Sequence, residues 1–137
     1  MEIRALGPGD GPSVVAASHL FDGPAQAAAT ERFLTTDGHH LLVAYEDGEP
    51  VGFVSGVETT HPDKGTEMFL YELAVAEPSR RRGIGRALVD RLAALAKETG
   101  CYGMWVVTDH DNAAARATYE GAGAVTETGQ VVEVWTF

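Results

Sequence analysis

The sequence predicts an α/β fold in which a mixed, largely antiparallel sheet carries helices on both faces. Three observations predict it. The stretch "HLLVAYEDGEPVGFVSGVE", His40 to Glu58, holds two apolar, β-prone runs around Asp47-Gly48, a hairpin signal. Ile84, Leu88, Leu92 and Leu95 recur at helical spacing between two strand-like runs. Strand, helix, strand implies a parallel pair, because parallel neighbours need a crossover of this length.

In chain order, Met1–Leu6 reads as a short strand ended by Gly7-Pro8-Gly9-Asp10-Gly11-Pro12. Val14–Phe21 and Ala25–Leu34 read as short helices split by Asp22-Gly23-Pro24. After the hairpin, a polar loop over Thr59–Glu67 leads to a third apolar run, "MFLYELAVAEP", placed antiparallel beside it. A helix over Gly83–Thr99 stops at Gly100, a favourable residue past a helix end. Cys101–Asp109 follows as a strand, Asn112 caps a helix running to about Ala122, and Val131–Phe137 is a closing strand. No repeat or linker interrupts the 137 residues, so one domain over 1–137 is expected.

Hydrophobic residues make up 45% of the chain and charged residues 22%, the balance of a globule with a real core. No apolar stretch approaches the ~20 residues of a membrane span. The opening "MEIRALGPGD" lacks the basic-then-apolar design of a signal peptide, so neither export nor a membrane is expected. Cys101 is the only cysteine, which excludes an internal disulfide, fits a reducing cytoplasm and reads as small strand filler. Twenty acidic residues against ten basic ones give a net charge of -10. That argues against nucleic acid and suits a cationic substrate, although solubility alone explains it as well. His19, His39, His40, His61 and His110 show no metal-ligand spacing, so no metal is expected.

Against this acidic background, four of the ten cations (Arg80, Arg81, Arg82 and Arg86) crowd the start of the long helix. Cations there oppose the helix dipole by about 0.3–1 kcal/mol each. Gly83 and Gly85 let a ligand approach the backbone, and first-turn amides have no intrahelical acceptor, so a bound phosphate makes the cluster tolerable. A nucleotide P-loop is excluded, because no Lys-Ser or Lys-Thr follows these glycines. A dinucleotide fingerprint is excluded too, since Arg86-Ala87-Leu88 lacks the third small residue.

What remains is R-x-x-G-x-G, with Arg80, Gly83 and Gly85 directly after "LYELAVAEPS". This resembles the coenzyme A pyrophosphate loop of the GNAT N-acetyltransferase superfamily, and the resemblance runs from "IRALGPGD" to the closing strand. It implies the acyl-CoA N-acyltransferase fold, acetyl-CoA as cofactor, and a splayed parallel strand pair. Backbone groups of Leu73, Ala74 and Val75 are then expected to bond the pantetheine amides. Amides of Arg81, Arg82, Gly83, Gly85 and Arg86, with the Arg80 side of the motif, are expected to hold the pyrophosphate. An N–H at Leu73 or Ala74 is placed to stabilise the oxyanion.

Acetyl transfer to an amine needs a base for the amine and profits from an acid for the thiolate. Asn112, Ala115, Tyr119 and Gly123 match the superfamily's N-x-x-A-x-x-x-Y-x-x-x-G pattern, which implies Tyr119 as the acid and Asn112 as a cofactor contact. A plain N-cap explains Asn112 equally, and a rim aromatic explains Tyr119. Glu72 interrupts an apolar strand beside the loop, so it either carries a costly buried carboxylate suited to a base or points to solvent on the alternate face. Asp109 is the second base candidate, with His110 behind it.

Within the superfamily, "FLYELAV" before "RRRGIG" is similar to the GNAT-type aminoglycoside 3-N-acetyltransferases, whose strand carries an aspartate where this chain has Glu72. That implies a polycationic acceptor, met by Glu58, Asp63, Glu67, Asp111 and Asp22 as well as the two base candidates. Chance surface acidity produces the same set. Acylation of another small amine or protein amino terminus, or noncatalytic acyl-CoA binding, are the other readings. The closing strand also suits a homodimer, as in many relatives.

Overall fold

The computed structural model describes residues 1–137. Five strands form one sheet in chain order: β1 (Glu2–Leu6), β2 (His39–Glu46), β3 (Glu49–His61), β4 (Gly65–Val75) and β5 (Met104–Trp105). Neighbours pair antiparallel except β4 with β5, which are parallel. Helices α1 (Gly11–Ala16) and α2 (Ala27–Thr35) precede β2, α3 (Ile84–Glu98) makes the crossover, and α4 (Ala113–Gly121) follows β5. No helix is long and apolar enough to cross a membrane.

Strand alternation divides the core in two. Leu42, Ala44, Val54, Met68 and Leu70 face Ile84, Leu88, Val89, Leu92 and Ala96 of α3. On the other face Leu41, Val43, Tyr45 and Phe53 meet Val14, Ala17 and Leu34 of the α1–α2 layer. Leu88 and Leu92 are fully buried, each stabilising the α3 contact by about 1.5–3 kcal/mol. Gly56 sets how closely α3 sits, because a Cβ there would lie 2.9 Å from Met68 Sδ and 3.0 Å from Leu92 Cδ1. The helix that opens the proposed phosphate loop is thus pinned to the middle of the sheet.

Several expected elements differ. The helix over Val14–Phe21 is α1 plus a separate 3-10 turn at Ser18–Leu20. The polar loop Thr59–Glu67 is instead the tip of a β3–β4 hairpin with its turn at residues 62–64. Threonine suits pleated edges, and Thr60 and Thr66 bond across the strands at 2.8 Å. The strand expected over Cys101–Asp109 shrinks to Met104–Trp105, because only Met68 and Phe69 of β4 pair with it. The closing strand Val131–Phe137 does not form: no neighbouring strand takes up its backbone, and Val131, Val132, Val134, Trp135 and Phe137 are exposed.

A bulge shapes the site. Ser55 pairs with Glu72 but Gly56 pairs with Leu70, so β4 carries one extra residue, Tyr71. Bulges bend and re-aim a strand. β4 leaves β5 where this bulge begins.

Candidate active site

Beyond Phe69, β4 has a partner on one edge only, and a wedge opens between β4 and β5. The Ala76 amide bonds the Val51 carbonyl at 2.8 Å, so the alternating backbone of Ala74 also turns toward β3. Leu73 and Val75 therefore turn their amides and carbonyls into the wedge. This corrects one expectation: Ala74 is committed to sheet pairing, and the open N–H lies at Leu73 instead. The Val75 carbonyl already accepts from Arg80 Nε at 2.9 Å, which ties the loop to the end of β4.

The loop arrives at α3 through two left-handed residues, Arg81 (φ 64°) and Gly83 (φ 80°). Such a φ is natural for glycine and strained for arginine, and left-handed residues of this kind are found where backbone amides line an anion-binding concavity. The amides of Arg81 through Arg86 make no hydrogen bond within the fold, and no side chain caps α3. A Cβ on Gly85 would sit 3.6 Å from Thr118, 3.7 Å from Val75 and 3.9 Å from Leu73, so the missing side chain leaves the mouth of the wedge open. An amide row, a helix N-terminus and a cradle that a side chain would fill suit a diphosphate with a narrow arm leading inward.

The arginines differ among themselves. Arg82 pairs with Glu46 at 2.9 Å and Arg86 with Asp90 at 3.1 Å. Two of the four charges are therefore answered by carboxylates within the chain, so a phosphate is not needed to excuse the whole cluster. Arg81 is exposed and without an ion-pair partner.

Tyr119 and Glu72 flank the wedge from opposite faces of the sheet. Tyr119 packs half-buried against the α3 core, and its hydroxyl makes no hydrogen bond in the fold. Burial pushes its pKa above the usual tyrosine value, so it keeps its proton. Glu72 stands opposite buried Ser55 on the α1–α2 face. Burial raises its pKa, and the negative charge of Asp22 raises it further. A lifted carboxylate is a better proton acceptor near neutrality. Asp22, on the loop before α2, is thereby brought to the base candidate.

The remaining carboxylates separate. Asp109 shares with Tyr119 the wall of an open cleft of about 1380 Å³, bounded on its far side by residues 124–132. Glu67 lines the same cleft and accepts from Tyr102 at 2.9 Å. Asp63 stands at the hairpin tip, held below the usual carboxylate range by Lys64 and then His61. Asp111 is exposed and does not line the cleft. Glu58 is a second correction. Alternation from Val54 and Gly56 turns it to the α3 face, where it bonds His40 at 2.6 Å, away from Glu72. Asn112 uses its side-chain oxygen to accept from the Ala115 amide at 3.1 Å, an N-cap as its bland reading expects.

Sequence reasoning missed an aromatic group beside Glu72. Phe69 stacks on Trp105 with centroids 4.3 Å apart and meets Tyr71 edge-on at 5.9 Å. The alternating Phe-x-Tyr was visible; its partner across the sheet was not.

Fold and wedge together define an acyl-CoA-dependent transferase architecture. Residues 15–124 match the acetyltransferase (GNAT) family, and the chain belongs to it. Members of this family use acetyl-CoA. Among curated relatives, the mycothiol acetyltransferase of Salinispora arenicola is 43% identical over 79 residues, 58% of this chain and 24% of that protein. The chain thus spans about a quarter to a third of the length of the curated relatives it matches. An aminoglycoside acetyltransferase from an uncultured soil metagenomic sample, solved with trehalose, superposes with a TM-score of 0.90 at 20% identity, covering 99% of this chain and 95% of that one. A second such enzyme, also from an uncultured soil metagenomic sample, gives 0.83 at 26% identity over 98% of both chains.

Proposed function

We propose that this chain transfers the acetyl group of acetyl-CoA to an amine of an aminoglycoside by direct attack in a ternary complex. The 3-amino group is the position implied by the likeness of "FLYELAV" to the 3-N class. The observation that carries the reading is the wedge itself, with unpaired amides at its mouth and an acid and a base candidate on its two faces. The aminoglycoside acceptor is supported by the 26%-identical enzyme and by the carboxylates Asp22, Glu67 and Glu72 near the acceptor side.

When bound, acetyl-CoA supplies the activated thioester. The amides from Arg81 to Arg86 would hold its diphosphate, and the open backbone of Leu73 and Val75 would align the arm. Glu72 takes the proton from the acceptor amine, directly or through water, with Asp109 second in line. The Leu73 amide would be the donor available to the thioester carbonyl oxygen. Tyr119, which keeps its proton, would supply it to the sulfur that leaves. Base and acid act from opposite faces, so neither group has to change roles during a turnover.

A second reading follows from the curated relatives, which are named for mycothiol rather than an antibiotic. In that reading the same machinery acylates a different small amine. Thiol release from acetyl-CoA, measured with gentamicin-type drugs and with simpler amines, decides between the two. Turnover with the drugs supports the first, turnover only with other amines the second. Tight acetyl-CoA binding without turnover refutes both and leaves a binding module.

A further inference from the structure

The transferase reading leaves the aromatic group on the acceptor side unexplained. Phe69 and Tyr71 project from β4 and Trp105 from β5. Phe69 is half-buried, whereas Tyr71 is 67% and Trp105 46% exposed. Trp105 covers Phe69 with one face at an interplanar angle of 25°, which leaves its other face to solvent. Large aromatics on a sheet face are ordinarily covered, and a contiguous exposed set marks a binding surface.

The strip is bordered by negative charge. Glu72, with Asp22 beside it, follows Tyr71 at one end, and Glu67 precedes Phe69 at the other. The nearest cation at the hairpin tip, Lys64, is paired with Asp63. An aromatic face presents negative potential, so it attracts the C–H and ammonium groups of a cationic ring laid upon it. A linear polyamine offers the ammonium groups but no rigid array of C–H groups to lie flat on the rings, and it loses more chain freedom on binding.

We propose that Phe69, Tyr71 and Trp105 form a platform for the acceptor, selecting amines carried on a rigid ring over linear polyamines. Trp105 and Tyr71 take the ring face, Glu67 takes a remote ammonium, and the reactive amine reaches Glu72. This rests on the proposed function for the platform's role in turnover, and not for its ability to bind a cationic ring.

The chain has two tryptophans, so Trp135→Phe leaves Trp105 as the only indole reporter. In that variant, without acetyl-CoA, neamine is expected to change Trp105 emission saturably and spermidine to do so only at concentrations about ten-fold higher or more. Equal responses overturn the proposal. In turnover, Trp105→Ala and Tyr71→Ala are expected to raise the KM for neamine about ten-fold, with kcat and the KM for acetyl-CoA held, and Tyr71→Phe to restore it. An unchanged neamine KM overturns the platform while leaving the transferase standing. Variants that alter oligomeric state without altering neamine affinity overturn it as well, making the strip a protein interface. A saturable neamine response in a protein that acetylates no amine supports the platform and refutes the transferase.

Discussion

Gly85→Val separates the fold from the cofactor site. Gly85 occupies the second position of α3, and its backbone is not left-handed, so an L-residue fits the local conformation. Its Cβ would make ordinary contacts with Thr118, Val75 and Leu73 at 3.6–3.9 Å. Replacing glycine by valine in a helix gains a few tenths of a kcal/mol of propensity, so stability should hold or rise slightly. The new methyl groups, however, stand in the mouth of the wedge, over the first-turn amides. Losing two hydrogen bonds from amides to a charged phosphate removes about 1.5–3 kcal/mol each. The sum, about 3–6 kcal/mol, is a loss of roughly 10²–10⁴-fold in acetyl-CoA affinity. Calorimetric titration with acetyl-CoA, paired with a melting curve, reads both quantities. An affinity within about three-fold of wild type, in a variant that melts normally, refutes the placement of the diphosphate.

Tyr119→Phe should lower kcat by about 10²-fold, at the modest end for general acids because a thiolate leaves readily. Its hydroxyl makes no hydrogen bond in the fold, so melting temperature and acetyl-CoA affinity should stay put; an unchanged kcat removes the acid role. Glu72→Gln should abolish the ascending limb of the pH–rate profile, which in wild type begins above the ordinary carboxylate range because the group is lifted by burial and Asp22. The stability sign is opposite to that of a paired acid. The folded state holds this proton more tightly, so wild-type stability falls as pH rises from about 4.3 through the folded pKa, and the Gln variant lacks that fall. Proton-coupled melting between pH 4 and 8 checks this. Leu92→Ala, at a fully buried contact between α3 and β3, should cost about 2–5 kcal/mol in urea unfolding.

Much of this was legible where local chemistry decides. The hairpin signal at Asp47-Gly48, the apolar stripe of α3 and the glycines of the loop each appear where the sequence places them. Tyr119 reaches the wedge for the same reason, on a helix whose inner face was clear, whereas the face of Glu72 stayed open because the bulge at Tyr71 interrupts the period of β4. What was not legible depends on pairing between distant segments. Glu58 looked like one more acid near the acceptor, but strand parity sends it under α3 to His40. The pairing of Arg82 with Glu46 joins residues with no sequence relation. The closing strand has strand composition and no neighbour, and composition alone does not make a ladder. The Phe69–Trp105 stack exists only because β4 and β5 touch briefly before they part.

The inserted Tyr71 has a consequence for how this scaffold tolerates change. Leu70 and Leu73 both turn to α3, so Tyr71 and Glu72 between them share the opposite face, and a strand lacking Tyr71 would alternate regularly with the carboxylate still turned away from α3. Deleting Tyr71 would thus straighten the strand and remove one ring while leaving the carboxylate on its face. What the extra residue adds is a neighbour, an aromatic ring set beside the acid group on one face.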